Sequence, residues 1–159
     1  MLEYLKYYRG GYFGPNERLI IEKQGSEYSL DFVKYYQGYI ENGIPFFHAL
    51  WPETRFQRWL DKLEATGFTF WKDQYYEDAC DGEQWTVQYQ YVGESKRSID
   101  GSNAYPENWQ TFQALMTKIA RKLPQTGFVS PDQMSRMFFE EEGEDLESEQ
   151  DQEDGEEQT

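Results

Sequence analysis

In residues 84–92, Gln84-Trp85-Thr86-Val87-Gln88-Tyr89-Gln90-Tyr91-Val92, polar and bulky apolar side chains alternate without a break as far as Tyr91. A period of two belongs to a β-strand with one face buried, because successive side chains point to opposite sides of the pleat. Trp85, Val87, Tyr89 and Tyr91 are therefore assigned to a core face, and Thr86, Gln88 and Gln90 to a polar face. One polar face is the mark of an antiparallel sheet, since a parallel sheet is covered on both sides. Asp81-Gly82 precedes the strand as a turn, and Gly93-Glu94 begins the turn into a further short strand near residues 96–100.

Upstream, Leu19-Ile20-Ile21 is apolar and β-branched, and it lies between turn signals at Gly14-Pro15-Asn16 and Gly25-Ser26. Tyr28, Leu30 and Phe32 then alternate with Ser29, Asp31 and Val33, and residues 4–9 (YLKYYR) read as a third strand. Glycines at 10, 11 and 14 have the wrong spacing for a dinucleotide loop and fit a hairpin turn. Residues 38–45 break the strand pattern.

Two amphipathic helices punctuate the strands. Pro52 suits a first helical position, and Phe56, Trp59, Leu60 and Leu63 follow at helical spacing up to a stop at Gly67. An aromatic segment, residues 68–76, leads on to the alternating strand. The second helix is PENWQTFQALMTKIARKL, with Pro106 at its start and Trp109, Phe112, Leu115, Met116, Ile119 and Leu123 on one stripe. Lys118, Arg121 and Lys122 near its end suit the negative pole of the helix dipole. A short third helix is expected over residues 130–139, where Ser130 and Gln133 have capping-box spacing and Met134, Met137 and Phe138 fall on one side. The fold class is thus α+β, with antiparallel sheet and helices in the order strands, helix, strands, helix, then the short helix.

The charge is unevenly placed. The 159 residues carry 30 acidic and 15 basic groups, a net −15. Twelve of the acidic groups fall in residues 140–159, which contain no Lys or Arg. Residues 1–139 then hold 18 acidic and 15 basic groups, a net −3, and read as one α+β domain. The last twenty residues have too few apolar side chains to offset ordering entropy, and a disordered acidic tail is expected there.

Composition also limits the function classes. The single cysteine, Cys80, rules out an internal disulfide and a multi-cysteine zinc site. No G-x-S-x-G, H-E-x-x-H or phosphate-loop motif occurs. His48, the one histidine, sits in the apolar run PFFHALWP and reads as structural. Cys80 lies among carboxylates that would raise a thiol pKa, which argues against a Cys–His nucleophile. Glu77, Asp78, Asp81 and Glu83 lack the ligand order of a calcium loop and read as a solvated turn. No cofactor or metal is expected. The N-terminus has no apolar core of about 7–15 residues, and no run of about 18 apolar residues exists, so neither a secretory signal nor a membrane span is expected. A cytoplasmic location follows.

The 13 tyrosines are too many for one small core, so some should be exposed. A nucleic-acid binder would add a basic groove to such aromatics, and this chain is acidic. Tyrosine is equally favoured at protein interfaces.

Asp81, Gly82, Trp85, Gly101, Asn103, Tyr105, Pro106, Asn108 and Trp109 form a pattern within residues 80–123. It resembles that of small uncharacterised bacterial and mobile-element proteins, with a D-G-x-x-W strand, a hairpin and a G-x-N-A-Y-P-x-N-W helix entry. The resemblance implies a bacterial or phage origin and an α+β domain, and it brings no activity. In size and acidity the chain is also loosely similar to phage anti-CRISPR-type inhibitors.

The leading expectation is a non-catalytic inhibitor that binds a protein partner through the partner's basic, nucleic-acid-binding surface. Glu140, Glu141, Glu142, Glu144 and Asp145, with Met134, Met137 and Phe138 beside them, are the candidate contact residues. Two alternatives stand beside it. One is a small accessory or immunity-type domain whose tail only solubilises; the other is an enzyme using Glu77, Asp78 or Asp81 near His48.

Overall fold

The computed structural model describes residues 1–11, 14–36, 43–78 and 82–139. The chain is α+β. Its elements run β1 (Leu2–Gly11), β2 (Pro15–Gln24), β3 (Glu27–Tyr36), β4 (Ile44–Pro52), α1 (Glu53–Glu64), a 3-10 turn (Phe68–Phe70), β5 (Gln74–Tyr76), β6 (Glu83–Tyr91), β7 (Arg97–Ser102), α2 (Trp109–Ala120), β8 (Gln125–Val129) and α3 (Pro131–Phe139). All eight strands join one sheet in the order β5-β7-β6-β1-β2-β3-β4-β8. Pairing is antiparallel except between β5 and β7, which run parallel, so the sheet is mixed rather than purely antiparallel.

The alternation in β6 works as expected. Trp85, Val87 and Tyr89 are buried, and they lie opposite Arg9, Tyr7 and Leu5 of β1. That face of the sheet, with Tyr28, Leu30, Ile21 and Leu19, packs against the buried stripes of α1 (Phe56, Trp59, Leu60, Leu63) and α2 (Trp109, Phe112, Met116, Ile119). Much of this core is aromatic: Trp85 lies 4.3 Å from Trp109, Trp71 lies 4.9 Å from Phe112, and Tyr28 stacks 3.9 Å from Phe56. Offset and edge-on ring contacts of this kind add to the burial of large apolar areas.

Four sequence expectations are corrected. Residues 44–52 form a strand, although the pattern was expected to stay broken to Pro45 and the helix to begin at Pro52. Ile-Pro-Phe-Phe-His-Ala-Leu-Trp does not alternate because β4 is covered on both sides. Trp51, Phe47 and Ala49 face the main core, while Ile44 and Phe46 join a second cluster with Val33, Val129 and Met134. Pro52 instead precedes α1, with extended backbone (φ −56°, ψ 146°). Pro106 does not begin α2 either. Asn108 turns left-handed at φ 67°, and the helix starts at Trp109. Finally, β8 was not anticipated, because Gln125-Thr126-Gly127-Phe128-Val129 is too short and polar to show a period.

The third helix forms with its capping box. The Ser130 amide donates to Gln133 Oε1 (2.9 Å), and the Gln133 amide donates to Ser130 Oγ (3.1 Å). Val33 and Phe46 point away from the main core, so α3, through Met134, sits on the sheet face opposite α1 and α2.

The D-G-x-x-W and G-x-N-A-Y-P-x-N-W segments act as structural joints. Trp85 Nε1 donates to the Ala104 carbonyl (3.0 Å), and its indole lies directly over Gly101, where a Cβ would collide with the ring. Gly82 is pressed in the same way against the Asn103 side chain. Asn103 adopts φ 59°, a left-handed conformation that Asn tolerates better than most residues. Asn108 makes no side-chain cap; its Nδ2 donates to the Thr66 carbonyl (3.2 Å) and ties the start of α2 to the end of α1.

Candidate functional site

The residues singled out from sequence are not gathered at one place. Met134 is 7% exposed and holds α3 to Val33, Ile44 and Val129, so it is core rather than free contact surface. The side chains of Met137 and Phe138, and Glu140, Glu141, Glu142, Glu144 and Asp145 entirely, lie outside the described residues. So do Cys80 and Asp81. Glu77 and Asp78 follow β5 at one edge of the sheet, whereas His48 lies on β4 near the other. Six inter-strand steps separate those strands, roughly 29 Å along the sheet. The juxtaposition of His48 with Glu77 or Asp78 that a carboxylate-dependent enzyme would need is not formed.

His48 has a different acid. Its Nδ1 lies 2.6 Å from Asp31 Oδ1, directly across the β3–β4 ladder, and its ring stacks on Phe46. Glu83, once grouped with a solvated turn, is also engaged. Arg9 Nε donates to Glu83 Oε2 at 2.7 Å, and the Tyr105 hydroxyl donates to Glu83 Oε1 at 3.2 Å. Among the described residues no group of three or more His, Cys, Asp and Glu could hold a metal ion, and no helix is long and apolar enough to cross a membrane.

Strand register builds a site that sequence inspection did not find. Tyr7, Leu19, Phe32 and Phe47 form one row across β1 to β4 on the helix-covered face. The next row outward is charged: Arg9, Glu17 and Lys34. The C-terminal half of α2 and the residues after it bridge over both rows. Between sheet and helix a cavity of about 240 Å³ remains, and Met116, Thr117, Ala120, Arg121 and Leu123 are the helical side's contribution to its lining. Its interior is apolar, and its mouth carries Glu17, Lys34 and Arg121.

Tyr7 is among the residues that line the cavity. The residue is 2% exposed, its ring packs edge-on against Phe112 (6.1 Å), and its hydroxyl has no hydrogen-bond partner among the described residues. Burial, reinforced by the Glu17 carboxylate, pushes the phenol well above the ordinary tyrosine range, so it is a neutral O–H donor at any physiological pH. A buried hydroxyl without a partner costs about 1–3 kcal/mol. Tyr28, equally buried, avoids that cost by donating to the Leu2 carbonyl at 2.7 Å.

The rim charges are mostly spent on each other. Arg9 is held by Glu83, and Lys34 Nζ lies 3.5 Å from Glu17 Oε1. Arg121 enters no ion pair among the described residues. Chemically the cavity is largely apolar, with Glu17, Lys34, Thr117 and Arg121 among its lining residues. It has the form of a small-molecule pocket.

A second, more open groove of about 620 Å³ lies on the far side of Tyr7's neighbours, lined by Arg9, Glu83, Tyr105 and the first turn of α2. Its charged groups are committed to one another through the Arg9–Glu83–Tyr105 network.

No known family model matches this chain, and no curated protein matches it either.

Proposed function

We propose that this protein is a non-catalytic, cytoplasmic inhibitor that binds a partner protein on a basic surface the partner otherwise uses for nucleic acid, in the manner of phage anti-defence proteins. The observation that carries the proposal is the segregation of charge: residues 140–159 hold twelve carboxylates and no cation, whereas residues 1–139 are near balance at −3. A uniformly acidic surface would serve solubility; a block of −12 produces a local field that speeds capture of a basic partner and repels nucleic acid itself.

The folded part agrees with this division of labour. Some of its charged side chains are paired within the fold, as in Arg9–Glu83, Glu17–Lys34 and Arg97–Asp73. The acidic block follows directly on α3, which the capping box and Met134 fasten to the sheet.

The test is affinity capture from a bacterial host, with the full chain and with a chain lacking residues 140–159. The expected result is recovery of a basic nucleic-acid-binding protein by the full chain only, with binding weakened by salt and competed by nucleic acid. If truncation leaves capture and its salt dependence unchanged, the acidic block is not the binding element and the proposal fails.

A further inference from the structure

The cavity between the sheet and α2 departs from the packing around it. In the adjoining core, rings meet at contact distance, as with Tyr28 on Phe56 (3.9 Å) and Trp71 against Phe112 (4.9 Å). Interiors packed in this way hold few voids larger than a water molecule. The cavity beside them spans about 240 Å³. That lies above the roughly 150 Å³ that accepts a single benzene ring, and below the roughly 300 Å³ at which pockets for drug-sized ligands begin. One ring with a short substituent is the size of ligand it accommodates.

The lining decides the chemistry. Leu19, Phe32, Phe47 and Met116 are among its apolar members. The two phenyl rings are only partly buried, and they stand 6.0 Å apart at an angle of 55°. A third ring can therefore meet them offset or edge-on, as aromatic groups prefer. Met116 adds a flexible thioether that adapts to ring edges. The polar lining carries both signs: Glu17 lies 3.5 Å from Lys34, and Thr117 and Arg121 complete it. An anionic ligand would face Glu17, and a cationic one would face Lys34 and Arg121. Either would also lose hydration against apolar walls that offer no buried counter-charge.

We propose that this cavity binds a small, uncharged molecule with one aromatic ring, the ring lying against Leu19, Phe32, Phe47 and Met116. No bond is made or broken; the site is one of binding, and none of its lining belongs to the acidic block of residues 140–159.

Toluene is a direct probe, with benzoate and benzylamine (protonated at neutral pH) as its anionic and cationic counterparts. Titration of the full chain, followed by amide chemical shifts, is expected to saturate below the solubility limit of toluene. The shifts should move at Leu19, Phe32, Phe47 and Met116, and both charged counterparts should bind more weakly. Ala120→Phe places a ring from α2 into the same space and should abolish toluene binding. Phe47→Leu removes one partly buried ring and should weaken toluene roughly 2- to 10-fold, as loss of an aromatic ring contact does. If Ala120→Phe does not fold, Phe47→Leu and the wild-type shifts decide alone. The proposal is overturned if toluene does not saturate, if the shifts fall outside the cavity lining, if either charged counterpart binds as tightly, or if Phe47→Leu leaves the affinity unchanged.

Discussion

His48 Nδ1 and Asp31 Oδ1 lie 2.6 Å apart on neighbouring strands, so the one histidine of the chain has its acid supplied by sheet register rather than by any nearby sequence. Both side chains are partly exposed, at 35% and 26%. A polar contact so placed is screened by solvent and contributes little. His48→Gln is therefore expected to change unfolding free energy by less than about 1 kcal/mol, read as the urea midpoint at constant slope. A loss several times larger would mean that the pair holds β3 to β4, and the modest role given to it here would be wrong.

Tyr7 and Tyr28 are two fully buried phenols with opposite hydrogen-bond status, and their phenylalanine variants should diverge. Tyr28→Phe removes a 2.7 Å bond to the Leu2 carbonyl and is expected to cost about 1 kcal/mol or more. Tyr7→Phe removes a hydroxyl without a partner, and it should be neutral or stabilising by up to about 1 kcal/mol. Parallel denaturant titrations decide between this pattern and equal losses at both sites.

The indole of Trp85 occupies the space above Gly101, so the glycine in the G-x-N-A-Y-P segment is required by packing rather than by chemistry. Gly101→Ala would drive a methyl into that ring and displace it from Trp109 and from the Ala104 carbonyl. Overpacking of a tight core costs about 1–3 kcal/mol, and here a buried indole N–H loses its acceptor as well. The expected result is a melting temperature lowered by several degrees, with loss of the near-ultraviolet tryptophan signal. An unchanged spectrum would show that the ring can move aside.

These residues also show which parts of the molecule were legible in its sequence. β6 and the stripes of α1 and α2 were readable because each buries one face only, which leaves a period of two or of helical spacing on the chain. β4 was not readable, since Phe46 and Phe47 are covered from opposite sides and the alternation vanishes. The start of α2 was misplaced at Pro106 because the left-handed Asn108 depends on a tertiary bond to Thr66. The cavity was invisible for a related reason. Tyr7 appeared only as one of a surplus of tyrosines, and its neighbours Leu19, Phe32 and Phe47 meet it through the register of three strand pairs. Met134 was recognised as part of an apolar helix face; what could not be read was that this face is already spent on the sheet.

Alkaline pH offers the last test, and its sign follows from the buried phenols. Burial holds the Tyr7 hydroxyl far above its ordinary value of 10.0, and burial also raises Tyr28 and Tyr91. Below that ordinary value both folded and unfolded chains keep the protons, so stability is fully present. Above it the unfolded chain ionises while the folded phenol stays neutral; the unfolded state binds fewer protons, and stability falls as pH rises. A group as buried as Tyr7 contributes at most about 1.4 kcal/mol per pH unit in that window. Unfolding free energy should therefore be insensitive to tyrosine between neutral pH and about pH 9, and should decline steeply beyond about pH 10. Tyr7→Phe should flatten the decline by up to one such increment per pH unit. If the wild-type and variant curves run parallel above that pH, the Tyr7 hydroxyl is reached by solvent, and the burial assigned to it is wrong.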